Sequence, residues 1–485
     1  MNSSHAAGAA PCPIRKLSIL IPVYNEIRTL QTIIRAVLEA PLPCERELVV
    51  VDDCSRDGSR EWLVEFAKTE PRMKLILHEQ NSGKGQGIRT AIANMTGDWA
   101  LIQDADLEYD PNEYQLLLEP AIAGIADAVY GSRFLTGRYR RAMYFWHTLA
   151  NKMLTVSSNI FNDLNLTDME TCYKLVRADI LKNLNLRSRG FDLEPEITAK
   201  LARWGARIYE VPISYRGRTY AEGKKIGLRD AYQALWAMIR YRYLDRDYCK
   251  HEGFMILQAV RHARRFNRWL FGQFKQYIGH EVLEAGCGIG NLTELVLDRK
   301  RLVCIDAEEF YVDRLEQAYG HLLNTRLLRA DLTSPTDMAE VTREGLFDST
   351  FCINVAEHIE DDVTALRNLS QTLKPGGHLV VLVPHGPGLY TEVDRTLGHF
   401  RRYTSDELRA KLTEAGLEVV ELKRFNRLGG LGWWISGKLL RRRTLSKGQM
   451  KSFEFLMPVA RVLEHVPLLP HNSVIGIARV PAEKA

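Results

Sequence analysis

The chain has 485 residues, with 65 Lys or Arg against 60 Asp or Glu and 46% hydrophobic residues. That length exceeds one ordinary core and suits two domains of about 240 residues each. The composition is that of a soluble globular protein, and no run nears the roughly 18 apolar residues a membrane-spanning helix requires.

The first sixteen residues, MNSSHAAGAAPCPIRK, have neither a basic start nor a long apolar core, so no signal peptide is expected. The eight cysteines form no CxxC pair and read as reduced thiols of a cytoplasmic protein. Charge is unevenly spread. Residues 201–275 hold 16 Lys or Arg against 6 Asp or Glu, an excess suited to diphosphates, anionic headgroups or nucleic acid, or simply to a solvated helical face.

Apolar strands at 17–23, 47–52, 73–77 and 99–103 alternate with helical patterns at 28–39, 58–69 and 85–95. The alternation predicts a largely parallel sheet covered on both faces, with ligands at the carboxyl ends of its strands. Every polar motif falls at such an end: Asn25 and Glu26, Asp52 and Asp53, Asn81 to Gly87, Asp104 to Glu108. The triplet Asp104-Ala105-Asp106 closes the strand WALIQ, and residues two apart in an extended segment project to one side. Two carboxylates on one side, with Glu108 two residues on, suit a hard cation, Mg²⁺ or Mn²⁺, that would neutralise a diphosphate leaving group. Lys84, in the turn NSGKGQG entering a helix, is a candidate phosphate contact or part of a plain turn.

With these motifs, residues 14 to about 240 resemble a family 2 glycosyltransferase of the GT-A fold, close in pattern to dolichyl- and polyprenyl-phosphate sugar transferases. The resemblance implies a nucleotide-sugar held against PVYNE, at Pro22, Tyr24 and Glu26, and against VDDCSRDGS, at Val51 and Asp53. It assigns the metal to Asp104, Asp106 and Glu108, where DADLE replaces the family's usual DADLQ, and counts Asp104, Ala105 and Asp106 among the nucleotide-sugar contacts. It also implies diphosphate contacts from Arg133, in GSRF, and from Arg218 and Lys224, in YRGRTYAEGKK, where Gly223 stands for the usual serine. The acceptor decides whether a base is needed. A polyprenyl phosphate is already an anion and needs none, whereas a sugar hydroxyl does. In TDMETCYK, Asp168 is the first choice for that base and Glu170 the second.

Residues 228–243 and 256–278 are amphipathic and rich in aromatics and arginine. Two readings stand for them: packing between domains, or lying along an anionic membrane surface. Beyond them, EVLEAG leads into Gly286-Cys-Gly288-Ile-Gly290 and the helical pattern LTELVL. The spacing is GxGxG, with Asn291 where a dinucleotide binder carries its third glycine. Asp306 closes the strand RLVCID, where a carboxylate can take both hydroxyls of a ribose, and Asp331 ends LLRAD, facing an adenine amino group.

These motifs, with FDSTFCINVAEHI and LKPGG, make residues from about 255 to 485 similar to class I S-adenosylmethionine-dependent methyltransferases. The resemblance implies that Glu284, Gly286, Gly288 and Gly290 hold the amino-acid end of S-adenosylmethionine and that Asn354 lines the pocket beside the methyl group. A hydroxyl acceptor would need its proton taken, and His358 and His399 are the imidazoles near the site loops.

The organisation expected is therefore a GT-A domain at 14–245, a basic helical join at 246–278 and a Rossmann-like methyltransferase domain at 279–485. The function expected is bifunctional: sugar transfer to a polyprenyl-phosphate or glycan acceptor, and S-adenosylmethionine-dependent O-methylation in surface-glycan or glycolipid assembly. The expected location is cytoplasmic, with peripheral attachment at the inner membrane face as a variant. A second reading makes the C-terminal half a non-catalytic S-adenosylmethionine sensor or scaffold. A nucleic-acid partner is not expected, since no RNA-binding module accompanies the basic join.

Overall fold

Strands buried on both faces must be apolar throughout, and the first half supplies four such runs. They form β1 (Lys16–Val23), β2 (Glu45–Asp52), β3 (Met73–Leu77) and β4 (Trp99–Ile102), joined by the helices Ile27–Glu39, Ser59–Ala67 and Lys84–Asn94. The structure is a computed structural model and describes residues 14–135, 144–190, 192–217, 228–245, 248–250, 252–261, 263–439, 447–466 and 469–482. The chain divides into two compact units, residues 1–250 and 251–485.

In the first unit β5 (Ala128–Ser132), β6 (Lys174–Arg177) and β7 (Ile208–Pro212) complete one sheet in the order β3-β2-β1-β4-β6-β5-β7. β1 to β4 are parallel, and β6 runs antiparallel to both β4 and β5. The expected strand through Gln103 ends one residue sooner. The Gln103 side chain is fully buried, accepts hydrogen bonds from the hydroxyls of Tyr114 and Tyr173 (2.7 Å each), and donates to Asp104 O. This anchor turns the chain, so Asp104 and Asp106 lie in a bend after β4 and not within an extended segment.

In the second unit β8 (Glu281–Ala285), β9 (Arg301–Asp306), β10 (Thr325–Arg329), β11 (Phe347–Ile353), β12 (Leu373–Pro384), β13 (Glu418–Phe425) and β14 (Ser473–Arg479) form a sheet in the order β10-β9-β8-β11-β12-β14-β13. Only β14 is antiparallel to its neighbours. The helix expected after the glycine turn is reduced to a single 3-10 turn, Thr293–Leu295. Thr293 Oγ1 is pinned to Glu284 at 2.6 Å, and Asp298, Arg299 and Lys300 follow at once, leaving too little apolar sequence for a longer helix.

Residues 246–278, read from sequence as a join, include the helices Glu252–Arg261 and Arg264–Gly272. Leu270, Phe271, Phe274 and Ile278 pack in the core of the second unit, with Val282, Phe351 and Ile475. In the first unit, the helix Phe145–Asn162 turns a stripe of apolar side chains to solvent: Trp146, Met153, Val156 and Ile160 are 55–75% exposed. Their spacing of seven, three and four residues keeps them on one face. The neighbouring helix Leu228–Ile239 exposes Tyr232 and Trp236. Among the described residues no helix is long and apolar enough to cross a membrane.

Each unit has its own sheet and its own buried clusters, so each should fold alone. Fragments 1–250 and 251–485 are expected to be soluble and to unfold cooperatively on heating. Aggregation of both fragments beside a stable full chain would refute their autonomy.

Candidate functional site

Strand order reverses at β1/β4 in the first sheet and at β8/β11 in the second, and crevices form at such points beyond the carboxyl ends of the strands. In the first unit the crevice is bordered by Tyr24, Asn25 and Glu26 after β1 and by Asp104 to Glu108 after β4. Asn25 takes a left-handed conformation (φ 54°) and Tyr24 is 47% exposed. Pro22 is half-buried against the helix that starts at Lys84, where a Cβ on Gly87 would lie 3.4 Å from it. Ala105 is buried and its carbonyl accepts from Thr29 Oγ1 at 3.0 Å. Asp106 Oδ1 accepts from Glu108 N at 3.1 Å, and the Glu108 carboxylate accepts from Tyr215 OH at 2.9 Å.

Several residues assigned to the nucleotide-sugar have other partners. The Val51 side chain is fully buried in β2, so it presents no side-chain surface to a ligand. Asp53 is also buried, and its carboxylate accepts from Ser82 N, Gly83 N and His78 Nδ1 at 2.8–3.1 Å. It organises the turn before Lys84. The Lys84 ammonium lies 2.9 Å from Asp104 and 3.1 Å from Glu194, with Cys172 Sγ at 3.1 Å. Burial would lower its pKa, but Asp104, Cys172 and Glu194 together raise it well above the ordinary lysine value, so it is a fixed cation. Sequence reading missed Glu194, which lies on the helix Leu193–Trp204, 110 residues from Lys84.

Arg133 and Asp168 were assigned separate tasks, and the fold spends each on the other. Arg133 Nε and Nη2 donate to Asp168 Oδ2 and Oδ1 at 2.6 and 2.7 Å, and the Arg133 backbone N–H adds a third bond at 3.0 Å. Both residues are buried. Both carboxylate oxygens of the first choice of base are thus engaged by Arg133, and neither is left to meet an acceptor hydroxyl. Glu170 has one buried oxygen without a partner, and burial, reinforced by Glu194, pushes its pKa up. Arg218 and Lys224 lie outside the described residues.

In the second unit the crevice opens into a cavity of about 1540 Å³ lined by Gly286, Gly288, Asp306, Asp331, Asn354 and His399 among others. Gly286, Gly288 and Gly290 have φ of 75°, 53° and 82°, a region glycine enters without steric cost. A Cβ on Gly286 would also strike Val355, and one on Gly290 would lie 2.7 Å from Leu315. Asp306 Oδ2 accepts from Gly288 N at 2.9 Å, tying the end of β9 to the turn, and burial raises its pKa. Asp331 is exposed and accepts from Thr333 N and Oγ1, both at 2.8 Å. Asn354, in a left-handed conformation (φ 55°), is exposed to the cavity. Glu284 is buried beneath the turn, bonded to Thr293 Oγ1, with its pKa pushed up to about 8 by burial. It braces the turn from below.

The two histidines stand together, their rings 4.8 Å apart and nearly perpendicular. His399 Nδ1 is 3.0 Å from Asp394 Oδ1. Because a carboxylate only accepts, Nδ1 carries the proton in the neutral ring and Nε2 keeps its lone pair. Asp394 also accepts from Arg402 Nε (2.7 Å), Thr391 N (2.8 Å) and Trp433 Nε1 (3.1 Å). Burial alone would raise the pKa of Asp394, but His399 and Arg402 hold it at about 2. His358 is exposed to the cavity, and desolvation there, with His399 beside it, lowers its pKa to about 4. Glu357 is fully buried, and burial raises its pKa to about 8. Sequence reading missed Glu357, Asp394 and Arg402, of which Glu357 lies in the segment FDSTFCINVAEHI that it singled out.

A model of glycosyl transferase family 2 matches residues 18–184, and a methyltransferase domain model matches residues 252–422. The undecaprenyl-phosphate mannosyltransferase of Micrococcus luteus is 33% identical over 220 residues, which cover 43% of this chain and 86% of that protein. Among solved structures, glucosyl-3-phosphoglycerate synthase from Mycobacterium tuberculosis, in complex with Mn²⁺ and uridine diphosphate, is 17% identical with a TM-score of 0.38, covering 48% of this chain and 81% of that one. The N-methyltransferase NodS from Bradyrhizobium japonicum, in complex with S-adenosylhomocysteine, is 20% identical with a TM-score of 0.30, covering 46% and 88%. The chain belongs to glycosyl transferase family 2, with a GT-A domain in its first half and a Rossmann-like methyltransferase domain in its second.

Proposed function

We propose that the first domain transfers a sugar, a hexose by its relative, from a nucleotide-sugar to a polyprenyl phosphate, and that the second methylates a hydroxyl with S-adenosylmethionine, both in glycolipid or surface-glycan assembly. The observation that carries this reading is that each sheet has a donor motif at its own switch point: Asp104 and Asp106 beyond β4, and the glycine turn with Asp306 beyond β8 and β9.

For the first domain, the donor set fits a divalent cation: two half-buried carboxylates in one bend, opposite a cation that already neutralises part of their charge. Asp104 and Asp106, with Glu108 beside them, would hold Mg²⁺ or Mn²⁺, which supplies charge neutralisation to a departing diphosphate. Lys84 lies where it can exchange Asp104 for a phosphate oxygen. The acceptor is chosen by the acids. Both oxygens of Asp168 are bound to Arg133, and Glu170 is buried with its pKa raised by that burial. A site without a ready base suits an acceptor that is ionised on arrival, which favours a lipid phosphate over a sugar hydroxyl. The mannosyltransferase relative acts on such a lipid by its name, and the exposed stripe on the helix Phe145–Asn162 offers a face for a membrane surface.

For the second domain, the residues present fit S-adenosylmethionine. The glycines of the turn pack so closely on Val355, Leu257 and Leu315 that none could carry a side chain, and Asp306 lines the same cavity, where it would accept from a ribose diol. Gly286, Gly288 and Glu284 would set the amino-acid end, and Asp331 and Asn354 would border the adenine and the methyl group. The cofactor supplies an electrophilic methyl on a sulfonium. The chain supplies alignment, exclusion of water, and His399, which Asp394 orients with Nε2 unprotonated, to engage the acceptor hydroxyl.

Asp106→Ala is expected to abolish sugar transfer while leaving S-adenosylmethionine binding intact, and full transfer in the presence of a chelator would refute the metal assignment. Asp306→Ala removes an acceptor whose charge-assisted bonds are worth about 1.5–3 kcal/mol each. Cofactor affinity should fall roughly ten- to a hundredfold by calorimetry, with sugar transfer unchanged; unaltered affinity would remove Asp306 from the site. The protein should float with anionic lipid vesicles, and Trp146→Glu with Ile160→Glu should release it. If the double variant floats as well as the parent, the stripe is not the membrane contact.

A further inference from the structure

Beside the cofactor turn, at the end of β11, the cavity holds three groups whose arrangement the methyl-transfer reading alone does not explain. Glu357 is fully buried, yet neither of its side-chain oxygens has a hydrogen-bond partner. One carboxylate oxygen of Glu357 and one ring nitrogen each of His358 and His399 lie within 4.8 Å of one another. All three residues line the same cavity as Gly286, Gly288 and Asp306. An unpartnered buried carboxylate is costly, and native structures retain one where something absent from the chain completes it.

We propose that Glu357, His358 and His399 form a binding site for one divalent transition-metal ion, which takes the acceptor oxygen as a further ligand.

The surroundings are those of a metal site. His399 gives Nδ1–H to the buried Asp394, which fixes the ring and leaves Nε2 as the donor atom. This carboxylate–imidazole arrangement is the usual support of a metal-bound histidine. His358 makes a backbone hydrogen bond to Leu397, so one of its nitrogens is anchored and the other remains for a ligand. The loop that carries His399 is fixed to the loop that carries the other two, because Phe400 N donates to Glu357 O at 2.8 Å and Tyr403 OH donates to Ala356 O at 3.2 Å. Two imidazoles and one carboxylate favour a first-row transition cation over Mg²⁺ or Ca²⁺, and three protein ligands leave positions open for an exogenous oxygen. Among the described residues, Arg402 is a cation that acts on Glu357. It is committed to Asp394 through Nε (2.7 Å) and to His385 O through Nη1 (3.1 Å), while its Nη2 lacks a partner. A direct Arg402–Glu357 pair is therefore the competing arrangement.

The role of the ion, unlike the site itself, rests on the methyl-transfer reading. With the ion bound, His399 Nε2 is a metal ligand and no longer meets the hydroxyl itself; the hydroxyl, bound to the cation, becomes more acidic and loses its proton to solvent. Its oxygen then forms a bond to the methyl carbon, and the carbon–sulfur bond breaks with its electron pair returning to sulfur, so that the sulfonium becomes a neutral thioether.

Co²⁺ is the probe, used on the full chain carrying Asp104→Asn and Asp106→Asn so that the first domain's carboxylates do not compete. One Co²⁺ should bind per chain, with imidazole nitrogen ligation visible by pulsed electron paramagnetic resonance. Glu357→Gln and His358→Asn, each added to that background, should abolish the bound Co²⁺ while S-adenosylmethionine binding, the measure of an intact fold, persists. No saturable Co²⁺ in the parent background, or Co²⁺ that survives Glu357→Gln, would overturn the site and leave Glu357 as the counter-ion of Arg402. If Co²⁺ binds as expected but chelator-treated enzyme methylates at the untreated rate, the role as acceptor ligand is overturned and the methyltransferase reading stands. Failure of that reading would instead appear as absent S-adenosylmethionine binding in the parent chain.

Discussion

A crossover between parallel strands is right-handed, and that constraint decides where anything can bind in this protein. While strands are added on one side of the first, the helices stack on one face; once the chain adds strands on the other side, they move to the opposite face. The two loops at the reversal diverge and leave a crevice at the carboxyl ends of the strands. The chain makes this reversal twice, at β1/β4 and at β8/β11. All the remaining polar architecture is a matter of which side chains the flanking loops bring to those two crevices.

The units differ in how they treat charge taken out of water. A buried ion stabilises nothing unless its partner is buried with it in good geometry. In the first unit Lys200 lies 2.6 Å from Glu196 and 3.1 Å from Asp245, all nearly inaccessible, and Arg133 grips Asp168 through both oxygens, while Glu170 keeps one buried oxygen without a partner. In the second unit Asp394 gathers donors from a histidine, an arginine, a tryptophan and a backbone amide, while Glu357, on the adjoining loop, gathers none for its side chain. The two carboxylates sit on segments joined by the bond from Phe400 N to Glu357 O. The contrast between them marks Glu357 as a group whose environment the chain by itself leaves incomplete.

Much of the frame was legible in the sequence because strands covered on both faces read as unbroken apolar runs. β1 to β4 and the helices between them fall within two or three residues of their expected bounds. The glycine turn was legible for a similar reason, since positive φ at Gly286, Gly288 and Gly290 demands glycine. What resisted reading was partnership. Lys84 is separated from Glu194 by 110 residues and Arg133 from Asp168 by 35, so no local pattern announces either pair. The direction of β6 and the loss of the helix after Gly290 were hidden likewise. One depends on a long loop returning antiparallel, the other on the Thr293–Glu284 bond under the turn. The outward apolar stripe at Trp146, Met153, Val156 and Ile160 has the period of an ordinary core helix, and only burial separates the two.

The resting state of the first crevice bears on how its ligands arrive. Asp104 already holds the Lys84 ammonium, so a metal taking that carboxylate would share it with, or displace it from, a lysine strongly held as a cation. Displacement by a metal alone would leave that ammonium buried beside Glu194 with one counter-charge fewer, a costly state. Arrival of a diphosphate with the metal changes the count: the metal takes Asp104 and Asp106, the lysine exchanges a carboxylate for a phosphate oxygen, and each charge ends with a partner. On the proposed function the two ligands therefore enter together. The exchange is cheap only when the anion comes too, which ties occupancy of the metal site to the presence of the donor.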